Sequence, residues 1–142
     1  MNRIVFPLIL ALIVTGCGQQ DYPKGAAGIG DPSFPELGNG GYDALHYSLD
    51  LDINPYENTL SGICTIDLLA TQSLSSVNMD FIGLVVDQIY VDGVKADFER
   101  NEGELTITPF HPLRKGETYA IQITYHGSPE PVPSLGGWFN AG

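Results

Sequence analysis

Residues 34–54, FPELGNGGYDALHYSLDLDIN, crowd oxygen and nitrogen donors into one short stretch. Asp43, His46, Asp50 and Asp52 are of the types that ligate zinc or calcium, and Gly38, Gly40 and Gly41 are of the type that cradles a phosphate. Spacing argues against a metal. In an extended strand His46, Ser48, Asp50 and Asp52 share a face, but residues two apart lie roughly 6 to 7 Å from each other, so successive ligands spread out. The stretch DLDINPYENTLSG lacks the regular acidic alternation and the central glycine of a calcium loop. GNGG precedes a strand instead of joining a strand to a helix N-terminus, so a turn is expected there and not a phosphate site.

The remaining donors carry no catalytic signature. None of His46, His111 and His126 is followed by glutamate, so the zinc helix His-Glu-x-x-His is absent, as are Gly-x-Ser-x-Gly and the phosphate loop Gly-x-x-x-x-Gly-Lys. His111 lies in a connection and His126 ends a strand, both ordinary surface positions. The carboxylate pairs Asp50 with Asp52 and Glu102 with Glu104 could do acid–base work only if burial separated their pKa values, and both pairs are expected to be exposed. Cys64 sits in GICTIDLL, where a small buried thiol in a strand is the simpler reading. No catalytic, cofactor-binding or metal-binding residue is assigned.

The elements that would position such residues read as strands. ALHYSLDLDI sets Leu45, Tyr47, Leu49, Leu51 and Ile53 against His46, Ser48, Asp50 and Asp52, the period of a half-buried strand beginning near Tyr42. Asn54-Pro55 opens a turn, and residues 60–70 form a run expected to be covered on two faces. SVNMDFI and LVVDQIYV follow, separated by Gly83. Asp92-Gly93 stands between two alternating runs, where both residues take the positive φ of a type I′ hairpin. ELTIT and TYAIQITYH complete about seven strands with no helical period. The fold class is all-β: an antiparallel β-sandwich or saddle-shaped curved sheet, incomplete at the C-terminus. Beyond His126 the pattern stops, and Trp138-Phe139 has nothing after it to pack with.

The N-terminus reads as an export signal. MNR supplies positive charge, IVFPLILALIV a short apolar run broken by Pro7, and TGC small residues before a cysteine. That run is shorter than the roughly 18 to 20 residues that span a bilayer, so cleavage is expected and a transmembrane anchor is not. Val14-Thr15-Gly16-Cys17 resembles the lipobox of bacterial lipoproteins, which makes Cys17 the lipidation site and places the protein on the membrane of the cell envelope. Residues 1–16 are then the signal, 17–41 a tether and irregular approach, and 42–142 one β-domain. The whole chain has a net charge of −11, and removing Arg3 with the signal makes it −12. Such a surface repels nucleic acid. With Cys17 acylated, Cys64 has no cysteine left to pair with.

Taken in order, GDPSFPELGNGGYDALHYSLDLDINPYENTLSGICTIDLLATQSLSSVNMDFIGLVVDQIYVDG, ELTITPFHPLRKGETYAIQITYHGSP and GGWF resemble the N-terminal domain of bacterial zinc aminopeptidases of the aminopeptidase N family, over residues 30 to 139. The resemblance implies an enzyme that releases amino-terminal residues from peptides. Its zinc would be held by two histidines and a glutamate, with a second glutamate activating water. None of those motifs lies in this chain. The family's Gly-x-Met-Glu-Asn loop is also missing, since the only methionines are Met1 and Met79. The glutamine and glutamate that the family's first domain lends to the substrate amine fall after residue 142, so no residue is transferred.

What the resemblance does imply is a non-catalytic β-domain that packs on a zinc-bearing catalytic domain and helps wall its cleft. The chain itself then has no cofactor, is inactive alone, and meets peptide substrate only within the full enzyme. The alternative is a free-standing surface lipoprotein whose β-domain binds a protein partner or a glycan.

Overall fold

The computed structural model describes residues 21–30, 32–33, 38–101 and 103–129. The expected signal segment, Cys17, Glu102 and Trp138-Phe139 lie outside the described residues. Seven strands form: β1 (Tyr42–Asn54), β2 (Thr59–Ala70), β3 (Val77–Asp80), β4 (Val85–Val91), β5 (Val94–Asn101), β6 (Glu104–Thr108) and β7 (Thr118–Gly127). Every pairing is antiparallel, and the strands form one sheet in the order β1-β2-β7-β4-β5-β6-β3. The sheet curls into a half-barrel, an incomplete β-sandwich, and the all-β expectation holds.

Turn chemistry accounts for the hairpins. Asn54 Oδ1 accepts the backbone N–H groups of Tyr56 and Glu57, folding the chain back, and Asn58 takes φ 51° before β2. Asp92 and Gly93 have φ 48° and 76° between the paired Val91 and Val94, the two-residue hairpin expected from Asp-Gly. Asp92 Oδ1 also accepts the Ala120 N–H at 2.8 Å, tying this hairpin to β7.

The core fills the inside of the curl. On β7 the period of two sends Ile121, Ile123 and Tyr125 inward and leaves Gln122 and His126 outside; Leu105 and Ile107 do the same on β6. Leu74 and Leu113 exchange backbone hydrogen bonds and bury both side chains, stitching the β2–β3 and β6–β7 connections together. Residues 23–26, part of the expected tether, lie against the sheet: Gly25 N–H donates to Ser76 O, Ser75 N–H to Pro23 O, and Gly40 N–H to Ala26 O. The glycine-rich stretch is a turn, with Gly41 at φ +102° and its carbonyl accepting the N–H groups of Thr71 and Gln72.

Two expectations about burial are corrected. β1 is exposed along nearly its whole length instead of half-buried. From Tyr47 on, the anticipated faces are right: Tyr47, Leu49 and Leu51 lie opposite Ile66, Cys64 and Gly62, on the inner side. Among the described residues nothing covers them, because β1 is the edge of the sheet and the curl closes only over the far half of β2. Leu45 also leaves the pattern, since the register shifts between Ala44 and His46 and it has no partner across the ladder. β2, expected to be covered on two faces, is buried on one face only, at Ile66, Leu68 and Ala70; Ile63 and Asp67 remain exposed on the other.

Two measurements follow from this packing. A Cβ at Gly62 would lie 2.7 Å from Leu51 Cδ2 and 2.8 Å from the Asp50 carbonyl oxygen, so β1 and β2 need glycine to approach this closely. Gly62→Ala is expected to lower stability by about 1–3 kcal/mol in urea unfolding of the full chain; an unchanged midpoint would mean that β1 yields freely. Tyr42 donates its hydroxyl to Asn78 O at 3.0 Å. Burial first, then the negative charges of Tyr47, Asp80 and Glu104, push its phenol up to about 12. Between pH of about 10 and 12 the unfolded chain therefore loses a proton that the folded chain keeps, so the stability present below 10 declines as pH rises. Tyr42→Phe is expected to cost about 0.5–1.5 kcal/mol at neutral pH and to make that alkaline decline shallower in a pH series of denaturation curves.

Candidate functional site

The inner side of the sheet contains an open hollow of about 410 Å³. Its floor is apolar and comes from three neighbouring strands: Tyr47 and Leu49 of β1, Cys64 and Ile66 of β2, Ile123 and Tyr125 of β7. Phe81 and Leu84, in the β3–β4 connection, make one wall. That wall is held from behind by Arg100 of β5, whose guanidinium donates to the carbonyls of Leu84 and Phe81 and lies 5.0 Å from the Phe81 ring centre. Phe81 meets Tyr125 edge to face at 5.7 Å. Aromatic and aliphatic surface of this kind takes apolar groups, and no reactive group stands in it: burial pushes the Cys64 thiol up, which keeps it protonated and a poor nucleophile at neutral pH.

The polar lining of the hollow, Gly38, Asn39 and Asp80, and the Glu104 carboxyl that lies beyond it were missed by sequence reasoning. Glu104, expected to be exposed and paired with Glu102, is partly buried and faces Asp80 across the β3–β6 ladder. Its carboxyl is pushed up by burial first, then by the negative charge of Asp80 and a hydrogen bond with it. With its amide turned so that nitrogen faces Glu104 Oε2 at 3.3 Å, Asn39 accepts the Asp80 N–H at 3.2 Å and bridges the two strand ends. Gly38 N–H donates to Asp80 Oδ2. The two acids are 24 residues apart in the chain, and only the ladder register makes them neighbours.

The donors singled out from the sequence do not assemble. Asp43, His46, Asp50 and Asp52 lie opposite Leu69, Asp67, Ile63 and Ser61 on the outer side of β1, away from the hollow and strung along the strand. Among the described residues no group of three His, Cys, Asp or Glu side chains could hold a metal ion. His111 packs edge-on against Phe110 in the β6–β7 connection. His126 does have a partner that the sequence did not suggest. Its Nδ1 is 2.9 Å from Asp87 Oδ2, with both side chains about half exposed. A register shift between Val86 and Gln88 puts Asp87 there, and a bulge of this kind leaves no mark in residue spacing. Solvent surrounds the pair, which lies apart from the hollow.

This arrangement recurs in known peptidases. The peptidase M1 N-terminal domain matches residues 43–130. The M1 zinc metallopeptidase of Deinococcus radiodurans is 34% identical, with a TM-score of 0.67, over 73% of this chain and 24% of that one. A variant of that enzyme bound to a Tyr-Ser-Ala substrate matches at 34% identity with a TM-score of 0.68, over 74% of this chain and 24% of its own. Yeast leukotriene A4 hydrolase shares the fold at 23% identity and a TM-score of 0.52, covering 63% of this chain and 15% of its own. No curated protein sequence matches. The chain thus spans about a quarter of the length of the Deinococcus enzyme, and by the match to more than half of its residues it belongs to the peptidase M1 N-terminal domain family.

Proposed function

We propose that this chain is the non-catalytic N-terminal β-domain portion of an exported, lipid-anchored zinc aminopeptidase that releases N-terminal amino acids from peptides. Its part is to pack on the zinc-bearing catalytic domain and help wall the cleft. The observation that carries the reading is the match of residues 43–130 to a peptidase N-terminal domain, together with an inner apolar face that nothing covers among the described residues. A sheet that exposes Tyr47, Leu49, Leu51 and Ile53 on one side is suited to lie against another body of protein.

Zinc belongs to the full enzyme and finds no fit here. His46, Asp50 and Asp52 diverge along a strand, and among the described residues no other donors gather, so no catalytic step is assigned to this chain. The membrane partner rests on the lipobox-like Val14-Thr15-Gly16-Cys17, with acyl chains on Cys17 contributing about 0.8 kcal/mol per buried methylene.

Two assays test this reading. The purified chain, supplied with zinc, is expected not to hydrolyse an aminoacyl anilide; zinc-dependent hydrolysis by the chain alone would overturn the non-catalytic role. In a bacterial host, labelled palmitate is expected to enter the wild-type chain and fractionate with membranes, and Cys17→Ser is expected to lose both label and membrane association. Equal labelling of the two would remove Cys17 as the anchor.

A further inference from the structure

One end of the sheet differs from the rest of this acidic chain. β1, β3, β5 and β7 begin there and β2, β4 and β6 end there, since Tyr42 pairs with Ala70, Leu69 with Thr118, Val77 with Ile107 and Val91 with both Ile121 and Val94. The β6–β7 connection, residues 109–117, crosses this end. Pro109 and Leu113 are buried and pin it, and between them Phe110 is 74% exposed. Pro109 and Pro112 fix the backbone on either side of Phe110 and His111, so the ring stands out on a stiff support. Phe110, Val94 and Arg114 line one open hollow of about 400 Å³.

Charge divides unevenly between the two ends. Lys24, Arg114 and Lys115 are exposed in the connections of this end and form no ion pair among the described residues. Lys24 bridges to Ser76 and the Lys115 N–H donates to Ser73 Oγ at 3.1 Å, so both flank the β2–β3 connection. The acids in the same connections are Asp21, Asp92 and Glu117. The last two serve the fold, accepting the Ala120 N–H at 2.8 Å and the Tyr119 hydroxyl at 3.0 Å. Toward the opposite end lie Asp52, Glu57, Asp80, Glu99 and Glu104, and the cation among them, Arg100, is committed to the Phe81 and Leu84 carbonyls. A negative surface repels that end and attracts the end that carries the bases.

The N-terminal arm leaves from the same end. The Ser75 N–H and hydroxyl donate to Pro23 O at 2.8 and 3.2 Å, and the Gly25 N–H donates to Ser76 O at 2.8 Å. A Cβ at Gly25 would lie 2.9 Å from that same Ser76 oxygen, so the arm lies tight against the β2–β3 connection. From Pro23 back to Cys17 the chain reaches roughly 20 Å at most, even fully extended. β1, with 13 residues, runs about 44 Å away from this end. We propose that this end of the sheet is the lipid-facing surface of the anchored protein, with Phe110 entering the headgroup boundary and Lys24, Arg114 and Lys115 meeting anionic headgroups. The inference rests on the lipid-anchored reading and deepens it, since acyl chains on Cys17 fix the distance to the bilayer and these side chains fix the orientation. The surface is separate from the inner face of β1 that a catalytic domain would cover.

The test places the full chain, acylated in a bacterial host, on vesicles of phosphatidylcholine with and without phosphatidylglycerol and follows amide hydrogen exchange. The amides of Phe110 and His111 are expected to exchange about threefold more slowly or more on the anionic vesicles, while those of Tyr56 and Glu57 keep their rates. High salt is expected to shrink the difference. Phe110→Ser, and separately Arg114→Gln with Lys115→Gln, are expected to remove most of it, while palmitate labelling and flotation with vesicles stay as in the wild type because the acyl chains hold the protein there. A wild-type chain that takes up no palmitate sinks the anchored reading and this one with it. An acylated chain that exchanges equally on both kinds of vesicle, protects Tyr56 and Glu57 instead, or keeps its protection in the charge variant overturns the lipid-facing end and leaves the anchor standing. So does a dimer in sedimentation that shields Phe110 without vesicles, which would assign the end to a second copy.

Discussion

The fold depends on a curl that brings two distant stretches of chain face to face. β2 and β7 present Ile66, Leu68, Ile121 and Ile123 from one side, and β6 and β3 close over them with Leu105, Ile107, Val77 and Met79. Each such side chain contributes about 1.5–3 kcal/mol when fully removed from water, and nothing else in the described residues supplies stabilisation on that scale. The stitch between Leu74 and Leu113 holds the closure, because it joins the connections at both ends of the folded-over strands. Where the curl closes there is a core. Where it opens, toward the far ends of β1 and β2, the same inward-pointing pattern runs on with nothing over it among the described residues.

That difference leaves part of the packing surface exposed. Tyr47, Leu49 and Leu51 obey the alternation that the core obeys, yet they remain in water. Polar groups at the boundary sharpen the contrast. Arg100 donates to two carbonyls and holds the Phe81–Leu84 wall, while Asp80 reaches the hollow and pairs across the ladder with Glu104.

The fold was largely readable from residue order. Period-two runs located all seven strands to within a few residues, because the pattern needed is only a few residues long. Asp92-Gly93 named its hairpin for the same reason. The site was less readable. The donors that drew attention in residues 43–52 were neighbours in sequence, and an extended strand separates such neighbours. Asp80 with Glu104 and Asp87 with His126 are separated by 24 and 39 residues, and their meeting depends on ladder register and on a bulge. The exposure of β1 was hidden too, since alternation shows which side chains share a face and is silent on whether that face is covered.

Strand positions, turn types, the absence of a catalytic motif and the family resemblance all follow from local order, because each rests on steric and hydrogen-bonding preferences of a few adjacent residues. Which apolar face is buried, which carboxylates meet and where a hollow remains open depend on how remote segments pair. Burial and charge proximity are properties of surfaces brought together across the fold. For this chain the boundary between the two kinds of knowledge runs along β1, whose residues announced a strand and whose setting at the edge of an open curl made it a surface.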